Sequence, residues 1–229
     1  MTARPLHAMF TQVPPSYDLL NRLLTFRLDE RWRKTAAEFC LAKRPKSILD
    51  LCTGTGDLAL RLQQMAARDT RIAALDYSMP MLCKARLKAQ KWDIEGIGFI
   101  HGDAARMPFP DDQFDAIGMA FACRNLTFRN PDRDTFLSEI IRILKPGGRL
   151  VIIETSQPQN AFIRFLFHAY LEYLTVPIGG LISGHYGAYK YLAHSAKNYY
   201  HSAELADLLR ESGFSKVTHF PRLLGISTL

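Results

Sequence analysis

Two hundred and twenty-nine residues, 48% hydrophobic and 22% charged, suffice for one sizeable core and exclude a disordered or fibrous chain. Lysine and arginine (29) outnumber aspartate and glutamate (22), and the net charge of +7 suits an anionic partner without saying which. Cys40, Cys52, Cys83 and Cys123 are too scattered for a disulfide framework or a zinc site, so reduced thiols and no metal are expected.

In chain order, residues 17–41 carry a helical pattern with a break near 25–29. Asp29 is expected there to cap a second helix bearing Arg31-Trp32-Arg33. No apolar stretch precedes a cleavage site, so no secretory signal is expected. Past Pro45, short apolar runs alternate with amphipathic stretches. They predict strands over 47–51, 71–75, 98–101, 114–121 and 150–154, and helices over 58–67, 81–91 and 136–144. This alternation predicts an α/β fold, a doubly wound Rossmann-like parallel sheet covered on both faces, whose ligands bind beyond the strands' carboxyl ends.

Residues 157–200 break the alternation. They are rich in Phe and Tyr, contain Gly179-Gly180, Gly184 and Gly187, and read as an inserted helical cap. Within them, the apolar stretch 162–182 is interrupted by Arg164, His168 and Glu172, too polar to span a bilayer but suited to lying on one. A helix over 202–212 and a last strand over 216–220 close the chain. One domain over 1–229 is expected, with N-terminal helices in 1–45.

The loop Gly54-x-Gly56-x-x-Ala59, with Asp76 about as far downstream as a ribose-binding acid should be, leaves two cofactors open: a nicotinamide dinucleotide and S-adenosylmethionine. Charge favours the second. A pyrophosphate at the helix N-terminus would face Asp50 and Asp57, each repelling it by about 1 kcal/mol or more at close range. S-adenosylmethionine carries an ammonium and a sulfonium instead. Asp57 as a simple helix cap is the plainer alternative. Asp103, after the third strand, is positioned to accept from an adenine amino group.

Several stretches together are narrower. They are Tyr17-Asp18-Leu19-Leu20-Asn21, Arg31-Trp32-Arg33, Leu49-Asp50 through Asp57, Met107-Pro108-Phe109-Pro110-Asp111, Phe114-Asp115, Arg124-Asn125-Leu126, Leu144-Lys145-Pro146-Gly147-Gly148 and Tyr189-x-Tyr191-Leu192. With these the chain resembles the ubiquinone/menaquinone biosynthesis C-methyltransferase family from about Tyr17 onward. The resemblance implies a class I methyltransferase fold. It implies cofactor contacts at Thr55, Asp76, Asp103 and Ala104; Asp50, Thr53, Gly54, Gly56, Asp57, Tyr77 and Ala120 are the further candidates around them. It also implies ring methylation of a polyprenyl quinol, demethylmenaquinol or a polyprenyl benzoquinol or both, with Cys52-Thr53 closer to the menaquinone branch. Arg124, Asn125 and Tyr17 are the candidate catalytic residues, with simple helix packing the plainer reading of Tyr17. The chain departs from the family at Ala120-Phe121-Ala122, where Gly-Phe-Gly is usual, at Ala193-His194 in place of Pro-Glu, and at its short end.

A quinol carbon becomes a far stronger nucleophile once a hydroxyl proton leaves, so the site needs a proton acceptor and a group that stabilises phenolate. Arg124 fits the second task and is too weak an acid to act as base; a structural ion pair is its plainer reading. Asn125 is suited to orient a hydroxyl or water. His185, His194 and His201 are candidate bases by residue type alone. The aromatic cap suits an isoprenoid tail, and the basic N-terminal helices suit an anionic membrane. The expected setting is therefore cytoplasmic, peripheral at the inner membrane face, without nucleic acid and with room for a homodimer. The rivals are a methyltransferase for another small molecule or lipid, a non-enzymatic nucleic-acid-binding or scaffold protein on a vestigial fold, and a dehydrogenase.

Overall fold

A computed structural model describes residues 14–229, with side chains from Asp18 onward. Helices α1 (Pro14–Leu24) and α2 (Leu28–Leu41) precede an alternating series: β1 (Ser47–Leu51), α3 (Asp57–Met65), β2 (Arg71–Asp76), α4 (Met79–Lys91), β3 (Ile97–His101) and β4 (Phe114–Ala120). Then come α5 (Cys123–Thr127), α6 (Arg133–Ile143) and β5 (Leu144–Thr155). The inserted segment holds α7 (Ala161–Tyr170), a π-helical turn (Leu171–Thr175), α8 (Val176–Ser183) and α9 (Tyr186–Lys197). Helix α10 (Ser202–Glu211) and the short strands β6 (Pro221–Arg222) and β7 (Ser227–Thr228) complete the chain.

The sheet order is β3-β2-β1-β4-β5-β7-β6. The first five strands are parallel, while β7 runs antiparallel to β5 and β6 to β7, so the sheet is mixed where an all-parallel one was expected. All five residues of β1 are buried, as a central strand covered on both faces must be. One core layer joins Leu49 and Ile117 to Ile140 of α6 and Leu205 of α10; the other joins Ile48 and Ile153 to Ala36 of α2 and Leu62 of α3. The order reverses at β1, which has β2 on one side and β4 on the other. That opens a crevice beyond their carboxyl ends.

Three sequence expectations need correction. Residues 216–219 form no strand; pairing begins at Phe220, which exchanges both backbone hydrogen bonds with Leu229. Asp29 does not cap α2. The chain reverses through Phe26 and Arg27, both left-handed (φ 51° and 61°), so Arg27 is the cap and Asp29 falls inside the first turn, buried. Finally, 161–183 is one continuous helical run of 23 residues, long and apolar enough by length and composition to cross a membrane (mean hydropathy 1.3 over an 18-residue window), despite Arg164, His168 and Glu172. Phe167, Leu171, Thr175 and Gly179 form its buried stripe, whereas Phe162, Phe165, Tyr173 and Leu181 are exposed.

At the opposite end of the sheet, Asp115 ties three strands. Its carboxylate accepts from the Lys46 and Ser47 N–H groups and from Lys145 Nζ (2.8 Å). Burial acts upward on its pKa, but these donors outweigh it and hold the group near 2. The Phe114-Asp115 and Lys145 matches are therefore structural, far from the crevice.

Candidate active site

The glycine loop is built from beneath. Asp50, at the end of β1 and 1% exposed, accepts the Thr53 hydroxyl (2.5 Å) and the Ala59 N–H (2.9 Å) on one carboxylate oxygen. The first turn of α3 has no side-chain cap of its own, so Asp50 satisfies one of its orphan donors from the neighbouring strand. Burial pushes this carboxyl up to about 7, against the Thr53 and Ala59 hydrogen bonds and Arg33. Asp57 opens α3 and pairs with Lys88 of α4, which also reaches Asp18 (2.9 Å) and Thr55 (3.0 Å). Asp18 in turn accepts the Thr55 hydroxyl (2.6 Å), clasping α1 onto the loop. The repulsion of pyrophosphate argued from Asp50 and Asp57 is thus weaker than the sequence suggests. One carboxylate is buried beneath the loop, and the other is paired with Lys88, which it shares with Asp18.

Asp76 ends β2 in the crevice. Its oxygens accept the Gly54 N–H (2.7 Å) and the Ser78 N–H (2.8 Å), and burial raises its pKa. Gly54 is left-handed (φ +57°), with nothing within 4 Å of where a Cβ would stand, so the loop's outer face is open to a ligand. Gly56 is the reverse case: a Cβ would stand 2.8 Å from Ala85 Cβ, and glycine is what lets α4 approach. Tyr77 is exposed beside His101 (ring centroids 6.2 Å apart). Asp103 is exposed and accepts the Ala105 N–H, with Ala104 buried behind it. An adenosine with no phosphate fits this arrangement: one fixed carboxylate for ribose hydroxyls, an open loop, and no unpaired cation among the loop's own residues.

Ala120 ends β4. The residue that takes the strained conformation beyond it is Phe121 (φ 59°), not its neighbours; Ala122 has φ −118°. Alanine in place of the family's glycines therefore adds no strain at position 122. Cys52, the residue just past β1, is also left-handed (φ 57°), so two non-glycine residues are strained beyond adjacent strand ends, where functional sites concentrate such strain.

Beyond Phe121, the short α5 presents Arg124 and Asn125 to a cavity of about 460 Å³. Arg124 is 7% exposed; its backbone N–H donates to Glu154 Oε2 (3.0 Å) and its Nη1 to Oε1 (3.4 Å). The plainer reading of Arg124, a structural ion pair, accounts for part of its side chain. One side of the fork is an ion pair, while Nε is buried with no partner, as is Asn125 Oδ1. Such buried unpaired groups call for a ligand. Trp32, Phe121, Tyr170, Tyr189 and Tyr191 supply aromatic wall, and Tyr170 Oη donates to Leu24 O (2.5 Å), tying the inserted helices to α1. The glycine loop and Asp76 do not line this cavity, which is a compartment separate from the crevice beyond β1 and β2. Tyr17 belongs to α1, but its side chain lies outside the described residues.

None of the three histidines named as bases lines the cavity. His201 is the cap of α10, bonded to Gln157 O (3.0 Å). Sequence reasoning missed two carboxylates near Arg124. Glu154 gives no signal in a strand of apolar residues, and Asp29 reads as a helix cap. No group of three or more metal-ligating side chains is present among the described residues.

Residues 2–228 match the model of the ubiE/COQ5 methyltransferase family. The demethylmenaquinone methyltransferase of Thermus thermophilus is 42% identical over 207 residues, covering 90% of this chain and 91% of that protein. The enzyme of the same name from Deinococcus radiodurans is 40% identical over 206 residues (90% of this chain and 83% of the relative). Among solved structures, a SAM-dependent methyltransferase from Aquifex aeolicus superposes with a TM-score of 0.55 at 19% identity, over 80% of this chain and 79% of that one, a likeness of fold. The chain belongs to the ubiE/COQ5 methyltransferase family, with S-adenosylmethionine as its methyl donor.

Proposed function

We propose that the protein methylates a ring carbon of demethylmenaquinol, at the cytoplasmic face of a membrane. The observation that carries the reading is the pairing of an aromatic-walled cavity with two buried, unpartnered polar atoms, Arg124 Nε and Asn125 Oδ1. A quinol has the matching chemistry, a flat apolar ring with oxygens that donate and accept. The names of the relatives from Thermus and Deinococcus point to the same acceptor.

S-adenosylmethionine, when bound, supplies an already electrophilic methyl group, so alignment is the protein's main task. Asp76 and the open face of Gly54 would hold its ribose and chain. Arg124 would direct Nε at the quinol oxygen and stabilise the phenolate as it forms; Asn125 Oδ1 would accept from a hydroxyl or bridging water. Glu154 would hold the Arg124 guanidinium through Nη1 (3.4 Å), leaving Nε for that oxygen.

Membrane contact follows from the acceptor's tail. Phe26, Phe162, Phe165, Leu181 and Leu224 are exposed around the inserted helices and the α1–α2 turn, and large exposed apolar patches mark contact surfaces. Arg27 and Arg31 are exposed beside Phe26, suiting an anionic lipid surface.

Expression in a bacterial host stripped of its own demethylmenaquinone methyltransferase tests the reading. Menaquinone should reappear in extracted quinones; persistence of the demethyl precursor, with the protein folded and present, would refute it.

A further inference from the structure

We propose that Asp29 is the base that takes the hydroxyl proton from the acceptor. The inference rests on the quinol reading above, and it begins with an inventory of what the cavity offers. The titratable groups on its wall, among the described residues, are Asp29 and Arg33 of α2, Arg124 of α5, and Tyr170, Tyr189 and Tyr191 of the inserted helices. The arginines stay cationic and have no lone pair to offer. Tyrosine hydroxyls lose their protons only near pH ~10, and burial raises Tyr170 and Tyr191 further. The one remaining proton acceptor is the Asp29 carboxylate.

Its placement is specific. Asp29 is 2% exposed, yet it lines the cavity. Oδ1 accepts the Thr25 hydroxyl (2.8 Å) and Oδ2 the Arg33 guanidinium (2.5 Å). A carboxylate accepts about four hydrogen bonds, so each oxygen keeps a lone pair for a substrate hydroxyl. The left-handed turn at Phe26 and Arg27 moves Asp29 from the cap into the first turn, which is what points its side chain inward. Arg33 lies over the Phe121 ring (5.1 Å to the centroid), three residues before Arg124, which brings the Asp29–Arg33 pair to the strand end that carries Arg124. A base and a phenolate-stabilising cation thus enter one compartment from different elements.

The proton would move from the quinol oxygen to Asp29 as the ring carbon's electron pair forms the new bond to the methyl carbon; the methyl–sulfur bond would break, its pair staying on sulfur, and the demethylated donor would leave as a neutral thioether. The methylated carbon then sheds its hydrogen to solvent, which restores the aromatic ring as a phenolate. Asp29 returns its proton to that oxygen, so one turnover releases one proton and leaves the carboxylate as it began.

Asp29→Asn keeps the shape and an acceptor for Thr25 and removes the base. General-base catalysis is worth about 100- to 10,000-fold, so kcat should fall about 100-fold or more. Removing the charge from one partner of a buried ion pair lowers the melting temperature, so rates are read well below it, where S-adenosylmethionine affinity and quenching of tryptophan fluorescence by a short-tailed naphthoquinol should be retained. Asp29→His restores a proton acceptor and should recover much of the rate above about pH 7. A merely structural Asp29–Arg33 pair predicts a different pattern: naphthoquinol binding lost together with the rate, and no rescue by histidine. An Asp29→Asn variant within about threefold of normal kcat would overturn the proposal alone. A wild-type protein inactive on demethylmenaquinol would overturn the acceptor reading itself.

Discussion

Asp50 shows how one side chain carries two burdens. It caps α3 from the end of β1, and burial lifts its pKa from 3.8 to about 7. The folded protein then holds a proton that the unfolded chain has shed between about pH 4 and 7, so this group's contribution to stability falls as pH rises through that window, at up to about 1.4 kcal/mol per pH unit. Asp50→Asn cannot ionise and keeps an oxygen for Thr53 and Ala59. Its melting temperature should fall less than that of the wild type from about pH 5 to pH 8, a difference seen by thermal unfolding in matched buffers. Parallel curves would mean that Asp50 is not protonated in the fold. At this scale the sequence was legible in part. Gly54, Gly56 and Asp76 announce by spacing alone a glycine loop beside an acidic strand end, and the structure bonds the Gly54 N–H to Asp76. The burial of Asp50 and the pairing of Asp57 with Lys88 do not show in spacing, since they depend on α4 packing against the loop. Asp29 was misread because a backbone reversal at Phe26 and Arg27, residues with no turn signature, shifts the helix start by two positions.

At the scale of elements, the parallel strands and their helices were readable because apolar period and length agree there. The end of the chain was not. Strands β6 and β7 are two residues each, and their pairing is set by β5 rather than by their own composition. The inserted helices pose a sharper test. Gly179 and Gly180 let α8 lie against the aromatic face of α9; a Cβ at position 179 would stand 2.1 Å from the Tyr189 ring. Because Tyr189 is buried and lines the acceptor cavity, Gly179→Ala must push α9 outward. Overpacking of this kind costs about 1–3 kcal/mol. The expected result is a lowered melting temperature and a raised KM for the quinol, with S-adenosylmethionine affinity by calorimetry unchanged, since the cofactor crevice lies on other elements. Equal loss of both would mean that the two compartments are not separable.

For the whole molecule, the basic charge and the two-faced helical run of 161–183 act together. The buried stripe closes the cavity, and the outer face leaves large apolar side chains uncovered. The protein should cosediment with anionic phospholipid vesicles, and less so as salt rises from about 0.05 to 0.5 M, because electrostatic attraction to lipid is screened. Phe165→Asp with Leu181→Asp should release it without lowering kcat on a detergent-solubilised quinol. Equal partitioning of wild type and variant would place the contact elsewhere. Length and composition made this surface conceivable from the outset, but which apolar residues face outward follows from the packing of α7, α8 and α9.

All of this turns on the acceptor. The most direct measurement incubates the purified protein with S-adenosylmethionine labelled in its methyl group and with chemically reduced demethylmenaquinol, and locates the label by mass spectrometry. The expected product is labelled menaquinol with the methyl on ring carbon, formed at a rate that collapses when Arg124 is replaced by methionine. Label on oxygen, or no transfer by a protein that binds S-adenosylmethionine, would contradict it.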